Sequence, residues 1–265
     1  MKAPDYSHYS RVQIARADGV LTATLTNRGK KNAVDARMHC ELSDLFYDIA
    51  KDDTINVVVL TGDGNSFCAG GDIGWMKEGA GGSGPPSAVE GKRIVYGLLD
   101  LEKPIIAKVR GPAIGLGATL ALFCDCVFAG ESARFGDPHV RVGLVAGDGG
   151  AVIWPALIGF ARAKEYLMTG DAIGALDAAR IGLINHCVPD DALDETVAAF
   201  ARRLTGGATQ AIRYTKVSIN IALKELAHKF LDASMAYEMG TFATSDHREA
   251  VAAFLEKRTP KFTGR

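Results

Sequence analysis

Five short runs of β-branched and apolar residues, at 12–15, 20–25, 57–61, 105–109 and 126–129, are each stopped by charge, glycine or proline. This punctuation limits the chain to short strands. Between the second and third run, Leu42, Leu45, Phe46 and Ile49 recur at i, i+3, i+4 and i+7, which puts one apolar stripe on a helix that must be buried against a sheet or another helix. Strands alternating with such helices predict an α/β fold. From about Asp191 the pattern turns helical, with a long segment near 209–231 and a last helix near 247–255. The expected division is a core over residues 1–195 and a helical region over 196–265. Residues 78–92, EGAGGSGPPSAVEGK, hold five glycines and two prolines and read as a loop, either a flap beside a site or a surface linker.

At 265 residues and 48% hydrophobic content the chain can bury a sizeable core in one or two domains. Thirty basic residues against 31 acidic ones leave a net charge of −1. No overall field therefore draws the molecule to nucleic acid or an anionic membrane, and an anionic ligand must be held locally. The N-terminal stretch lacks the roughly 7–15 apolar residues of a secretory signal, and no apolar run reaches the roughly 18 residues of a membrane span. The expectation is a cytoplasmic protein. Five scattered cysteines, Cys40, Cys68, Cys124, Cys126 and Cys187, have no paired metal-ligand spacing and suit reduced thiols; no metal is expected.

Two segments share a plan of strand, glycine-rich turn and helix-compatible run: VVVLTGDGNSFCAGGDI (57–73) and PIIAKVRGPAIGLGATLALFCDC (104–126). Free backbone N–H groups at such turns can receive a developing negative charge, although glycines there can equally serve tight packing. These segments, with TLTNRGKKNAV (24–34), AKEYLMTGDAIGALDAARIGLINHCVP (163–189) and TFATSDHREAVAAFLEKRTPKF (241–262), resemble the crotonase (enoyl-CoA hydratase/isomerase) superfamily in order and spacing over nearly the whole chain. The resemblance implies a spiral of repeated ββα units with a C-terminal helical trimerisation region. It also implies a homotrimer or dimer of trimers, and an acyl-CoA or related carbonyl substrate that brings coenzyme A with it and needs no prosthetic group. It places the two amides that hold the substrate oxygen on Gly71 and Leu116. Donors fixed before reaction and aimed at charge that appears only in the transition state are each worth roughly 3 kcal/mol. By the same resemblance Arg28, Lys30 and Lys31 align with the stretch that meets CoA phosphates, Ala69 and Asp72 with the loop around the adenine, and Lys257 with a C-terminal basic position.

The sequence departs from the hydratase pattern where two glutamates should stand: Thr119 occupies the first position and His139 the second. A threonine hydroxyl positions water but is no useful base near neutrality, whereas histidine titrates close to working pH. His139 is the evident base at the aligned centre. Asp148, nine residues on, either pairs with His139 across the turn of VRVGLVAGD or caps the helix beyond it. Asp137, before Pro138, reads as a turn former. A histidine and an aspartate at this spacing, without the glutamates, resemble the β-diketone hydrolases of the superfamily (6-oxocamphor hydrolase type), in which Glu238 would align with a further carboxylate; a place on the helix surface is its ordinary reading. Trp75, Met76 and Trp154 are candidates for shaping an acyl pocket or filling the core. His8, His39, His186, His228 and His247 read as structural or solvated. Three functions are compatible with these residues: His-based hydration or another acyl-CoA lyase step, hydrolytic C–C cleavage by a His139–Asp148 dyad, and a non-catalytic acyl-CoA binding or assembly module.

Overall fold

The computed structural model describes residues 4–78 and 87–265. Strands β1 (Val12–Ala17), β2 (Val20–Leu25), β3 (Val57–Gly62) and β4 (Ile105–Val109) take the first four expected runs. After the short β5 (Pro112–Ile114), strand β6 (Cys126–Gly130) takes the fifth. Strands β7 (Arg134–Gly136), β8 (Ile173–Gly174) and β9 (His186–Val188) are, like β5, too short to leave a periodic trace in the sequence. The helices are α1 (Ala36–Ala50), α2 (Ile73–Glu78), α3 (Ala88–Asp100), α4 (Leu116–Leu122), α5 (Gly150–Thr169), α6 (Ala175–Arg180), α7 (Leu193–Thr205), α8 (Thr209–Phe242) and α9 (Ser245–Leu255).

Six strands form one sheet in the order β1-β2-β3-β4-β6-β9, with β1–β2 antiparallel and the other pairs parallel. Such a sheet is buried on both faces, so its strands read as continuous apolar runs. In β3, Val58 and Leu60 join the main core beneath α1 and α3, while Val57 and Val59 pack with Leu193, Val197 and Ala201 of α7 on the other face. The stripe Leu42, Leu45, Phe46 and Ile49 of α1 is fully buried, and Asp35 caps that helix by accepting from the Met38 amide.

A second sheet, β5-β7-β8, stands beside the first. Its register governs the site. Cys68 bridges to Ala113, and Ala113 pairs with Phe135, both in parallel; Phe135 then pairs with Ile173 in antiparallel sense. The chain thus repeats one unit: a strand in the large sheet, a short extended stretch in the small one, then a turn into a helix. Counting three residues beyond Cys68, Ala113 and Phe135 gives Gly71, Leu116 and Pro138, with His139 next. Successive repeats lay these positions side by side.

The expected loop over 78–92 needs correction. Residues 79–86 lie outside the described residues, and from Ala88 the chain is helix α3. Ser87 accepts from the Glu90 amide as N-cap, and Ile94, Val95, Leu98 and Leu99 then recur with helical spacing on a buried face. The late start of that stripe, after glycines and prolines, hid the helix.

Helix α8 runs for 34 residues, roughly 50 Å at 1.5 Å per residue. Near its start Lys216 pairs with Asp125 at 2.8 Å and donates to the Lys103 carbonyl, while Asn220 donates to Leu99. Near its end Ser234 donates to the Gly147 carbonyl, and the Val145 amide donates to the Thr241 hydroxyl. The helical region thus returns to the loop that carries Asp148. Trp154 is fully buried core, all five cysteines are free, and among the described residues no helix is long and apolar enough to cross a membrane.

Candidate active site

The two glycine-rich turns press directly against one another. A Cβ on Gly70 would meet the Ile114 carbonyl at 2.9 Å, and one on Gly117 would meet the Cys68 carbonyl at 2.6 Å. Gly115 has φ 54° and ψ −124°, a conformation open only to glycine, and this sharp reversal starts α4 at Leu116. As the first helical residue, Leu116 has an amide with no partner in its own helix. At the other turn Val34 pairs with the flanking peptides, donating to the Gly70 carbonyl and accepting from the Asp72 amide, so the Gly71 amide is left over. Among the described residues neither the Gly71 nor the Leu116 N–H donates to a protein acceptor.

Gly71 and Gly115 line a cavity of about 380 Å³ together with Met76, His139 and, from the C-terminal segment of the same chain, Phe254 and Arg258. The Met76 methyl lies 2.4 Å from where a Gly71 Cβ would stand. Flexible thioether chains are easily displaced, so Met76 closes this end of the cavity in a reversible way.

His139 opens a 3-10 turn running to Val142. Its Nδ1–H donates to Asp137 in a very short hydrogen bond. Its Nε2 faces Asp148 Oδ2 at 3.7 Å and Glu238 Oε1 at 3.9 Å, and its Cε1 edge lies toward Gly115. Thr119 donates its hydroxyl to Asp148 Oδ1. The turn is seated from outside by His247 of α9, whose Nδ1–H donates to the Val142 carbonyl.

Two readings are corrected here, and for Asp148 one of two alternatives is excluded. Asp137 is no turn former on the surface: it is 1% exposed and holds the imidazole. Glu238 is not on a helix surface but 6% exposed, because α8 turns this face toward Gly147. Asp148 is not the cap of α5, since Gly149 holds that position with no side-chain cap and the Asp148 carboxyl turns instead toward Thr119 and His139. His39, read as structural or solvated, is buried and donates from Nδ1 to Glu90 at 2.6 Å.

Burial alone would lower the His139 pKa, but Asp137, Asp148 and Glu238 outweigh it and hold the imidazole well above its usual 6.5. Burial raises Asp148, against the field of His139. Burial likewise pushes Glu238 up to about 8, helped by the charges of Asp148 and Asp137 and opposed by that of His139. The cluster titrates as a unit: the surrounding carboxyls favour the charged imidazole, and burial favours the protonated form of Glu238. Ligand-type atoms of Asp137, His139 and Asp148 lie within 4.8 Å of one another, a spacing that admits a cation, but Asp137 already holds Nδ1, so the group serves protons first.

Of the residues aligned with CoA contacts, Ala69 and Asp72 flank the Gly70–Gly71 turn. Ala69 lines the cavity, and Lys30 pairs with Asp72 at 2.8 Å while Asp72 also accepts from the Trp75 amide at the start of α2. Arg28 is exposed and 3.6 Å from Asp63, Lys31 sits at a positive φ, and Lys257 is exposed beyond α9. Arg258 rather than Lys257 lines the cavity, held by Glu249 and Glu256.

A family model described as enoyl-CoA hydratase/isomerase matches residues 15–265. The chain belongs to the enoyl-CoA hydratase/isomerase family. It is 36% identical over 251 residues to the 1,2-epoxyphenylacetyl-CoA isomerase of Escherichia coli, covering 93% of this chain and 96% of that protein. It is 34% identical to the short-chain-enoyl-CoA hydratase of Clostridium acetobutylicum, covering 92% and 95%. An enoyl-CoA hydratase/isomerase crystal structure from Mycobacterium paratuberculosis superposes with a TM-score of 0.88 at 34% identity, covering 93% of this chain and 99% of that one. The α/β spiral with its helical C-terminal region is the crotonase fold.

Asp137 escaped sequence reasoning as a partner of His139, and His39 as a buried residue. Asp137 carries no signal beyond its i, i+2 spacing to His139. His39 was legible in principle: Leu42 and Phe46 stand at i+3 and i+7 from it, on the stripe along which α1 is buried. The same test finds Glu238, since Leu231, Ser234, Met235 and Phe242 mark the buried face of α8 around it.

Proposed function

We propose that this member of the family moves protons on an acyl-CoA, with the thioester oxygen held by the Gly71 and Leu116 amides and with the carboxyls around His139 in place of the usual glutamate pair. One observation carries the reading: beside the paired glycine turns, an imidazole that replaces one glutamate gathers Asp137, Asp148 and Glu238 around it. Glu238, pushed up to about 8 by burial, has a proton to give at neutrality. The lost glutamates are thus replaced in function by residues from different elements.

In a hydration, Asp148 in its ionised form, which the field of His139 favours against burial, accepts a proton from water. The water oxygen bonds to Cβ of the enoyl group, and the double-bond electrons move onto the thioester oxygen between the two amides. The enolate then takes a proton at Cα from Glu238, and the proton on Asp148 returns to Glu238 past His139. Net addition is one water. In an isomerisation the same groups remove a proton from one carbon and return it to another. His139 therefore works with Asp148 as a base pair, and Asp137 fixes its tautomer and ring.

A second reading has its own support, in that Asp148 and Glu238 both flank Nε2, the arrangement implied for the β-diketone hydrolases. Water would then add to a ketone carbonyl, the adjacent C–C bond would break, and its electron pair would leave as an enolate that takes up a proton.

The two are separated by incubating the protein with a trans-2-enoyl-CoA, a β,γ-enoyl-CoA, a β-ketoacyl-CoA and a cyclic 1,3-diketone, with product masses followed in 18O-water. Hydration gives one product heavier by one labelled water, isomerisation gives no mass change, and C–C hydrolysis of an acyclic substrate gives two fragments. Turnover of the thioesters that survives unchanged in His139→Ala overturns the proposed cluster.

A further inference from the structure

Apart from the His139 cluster, the described residues hold a buried imidazole paired with a partly buried carboxylate near the site. His39 of α1 is 5% exposed. Its Nδ1–H is taken by Glu90 of α3 at 2.6 Å, and the Trp75 ring flanks it at 5.3 Å between centroids. This fixes the ring and leaves Nε2 as the edge that can meet a further group.

Two helices locate that edge relative to Asp148. On α3, the α-carbon of Gly91 faces His39 Nε2, with 3.9 Å to the place of a Cβ, and Val95, one turn on, faces Gly149 next to Asp148. On α8, Met235 touches the same face of Gly91, and Glu238, three residues on, touches Gly147 on the other side of Asp148. The same two helices thus pack around His39 Nε2 and, one turn on, against the glycines that flank Asp148. His39 is also near enough to act on Asp148 electrostatically. Trp75 flanks the His39 ring, Met235 touches Gly91, and that glycine has no side chain to cover the imidazole edge. An acyl chain whose carbonyl lies between the Gly71 and Leu116 amides and whose reacting carbons lie at Asp148 would run on toward His39.

We propose that His39, held by Glu90, is a specificity-determining residue that hydrogen-bonds an oxygen substituent, hydroxyl or ketone, a few bonds beyond the reacting carbons of the acyl group. The inference rests on the acyl-CoA reading of the site and narrows its substrate class to oxygenated acyl chains. A hydroxyl is recognised when Nε2 accepts and a ketone when Nε2–H donates, so the two substrate arms report which form binds. A purely aliphatic chain would leave this polar edge unpaired beside it, the situation that makes hydrogen-bonding sites selective.

The test compares trans-2-hexenoyl-CoA with analogues carrying a terminal hydroxyl or a penultimate ketone, using kcat/KM for the wild-type protein and for His39→Leu, His39→Gln and Glu90→Gln. The wild type is expected to favour one oxygenated analogue about tenfold, the worth of one hydrogen bond. His39→Leu should erase that preference while leaving hexenoyl-CoA turnover within about threefold, and Glu90→Gln, on a partly exposed helix face, should erode it. If His39→Leu does not fold, the Gln variants read the same ratio. Equal wild-type rates on all three substrates, or variants that slow all three alike, overturn the proposal and leave His39 a packing residue. If no thioester is turned over, the acyl-CoA reading fails, whereas calorimetric titration with the saturated acyl-CoA pair still decides whether His39 recognises the oxygen.

Discussion

The turns proposed to hold the carbonyl and the cluster proposed to handle protons lie side by side yet are built from different material. The first is backbone: two peptide N–H groups at Gly71 and Leu116, fixed by a glycine at φ 54° and by turns packed within contact of each other. The second is side chains gathered from α4, the turn after β7, the loop before α5 and the far end of α8. A backbone site withstands substitution of its own side chains, because its geometry belongs to the sheet register. A side-chain site can be rewritten one residue at a time. Where the resemblance leads one to expect a glutamate, the sequence has His139, and the turns beside it are rich in glycine.

The largest expected effect falls on the side-chain half. His139→Ala should lower turnover by about 10²–10⁴ while acyl-CoA affinity, read by calorimetry, changes little; activity within a few-fold of wild type would break the comparison. Next comes a test of the backbone half. Leu116→Pro removes the N–H, and proline is tolerated at the first position of a helix, so circular dichroism should stay native while kcat falls by about 10²–10³. An unchanged kcat would show that this amide holds nothing.

Glu238→Gln sharpens the assignment of the acid. With Glu238 raised to about 8, the wild-type rate should fall as pH rises through that value, and the variant should lose this alkaline limb along with about tenfold in rate. The same group sets the sign for stability. A carboxyl whose folded pKa lies above its unfolded one favours folding fully below about pH 4.5, and this contribution is lost as pH rises toward 8. Thermal melts of the wild type should therefore lose ground to those of Glu238→Gln across that window. A smaller, structural effect is expected of Gly150→Ala, whose Cβ would stand 2.0 Å from Asp137 Oδ2. Overpacking of about 1–3 kcal/mol should appear in denaturant melts, together with a shifted His139 titration by NMR. The smallest is Lys30→Ala, which should weaken CoA-ester binding by only a few-fold, since Lys30 is half exposed and already paired to Asp72.

Legibility in the sequence divides along the same line. Continuous apolar runs announced β3, β4 and β6 because a parallel sheet covered on both faces has no polar side. Strands β1 and β2, only partly covered, showed as β-branched residues mixed with polar ones, and the stripe of α1 announced the helix over the sheet. The glycine turns were legible because backbone geometry needs glycine there and little else can substitute. His139 was visible as a titratable residue where a carboxylate was due. Of its partners, Asp137 was not visible and Asp148 and Glu238 were visible only as one of two alternatives each, for different reasons. Asp137 faces inward from a turn sequence that would look the same facing outward. Asp148 precedes a helix, and nothing local decides whether it turns forward to cap or back to the imidazole. Glu238 arrives from a helix whose buried face depends on what α3 and α5 offer it. Helix α3 was hidden because its stripe starts only after a stretch of breakers. Local periodicity reports burial, whereas convergence of side chains on one point is a property of the whole spiral.

The small sheet also sets how much chemistry one chain can concentrate. Cys68, Ala113 and Phe135 form three parallel layers, and the chain leaves each in the same direction, so their successors meet at a common point. The fourth layer, Ile173, runs the opposite way, and the chain beyond it is carried off to the outer helix α6. The reversal of a two-residue strand thus closes the stack: no further repeat can deliver a residue to that point, and novelty there must come by exchange within the layers already present or from helices reaching in from outside.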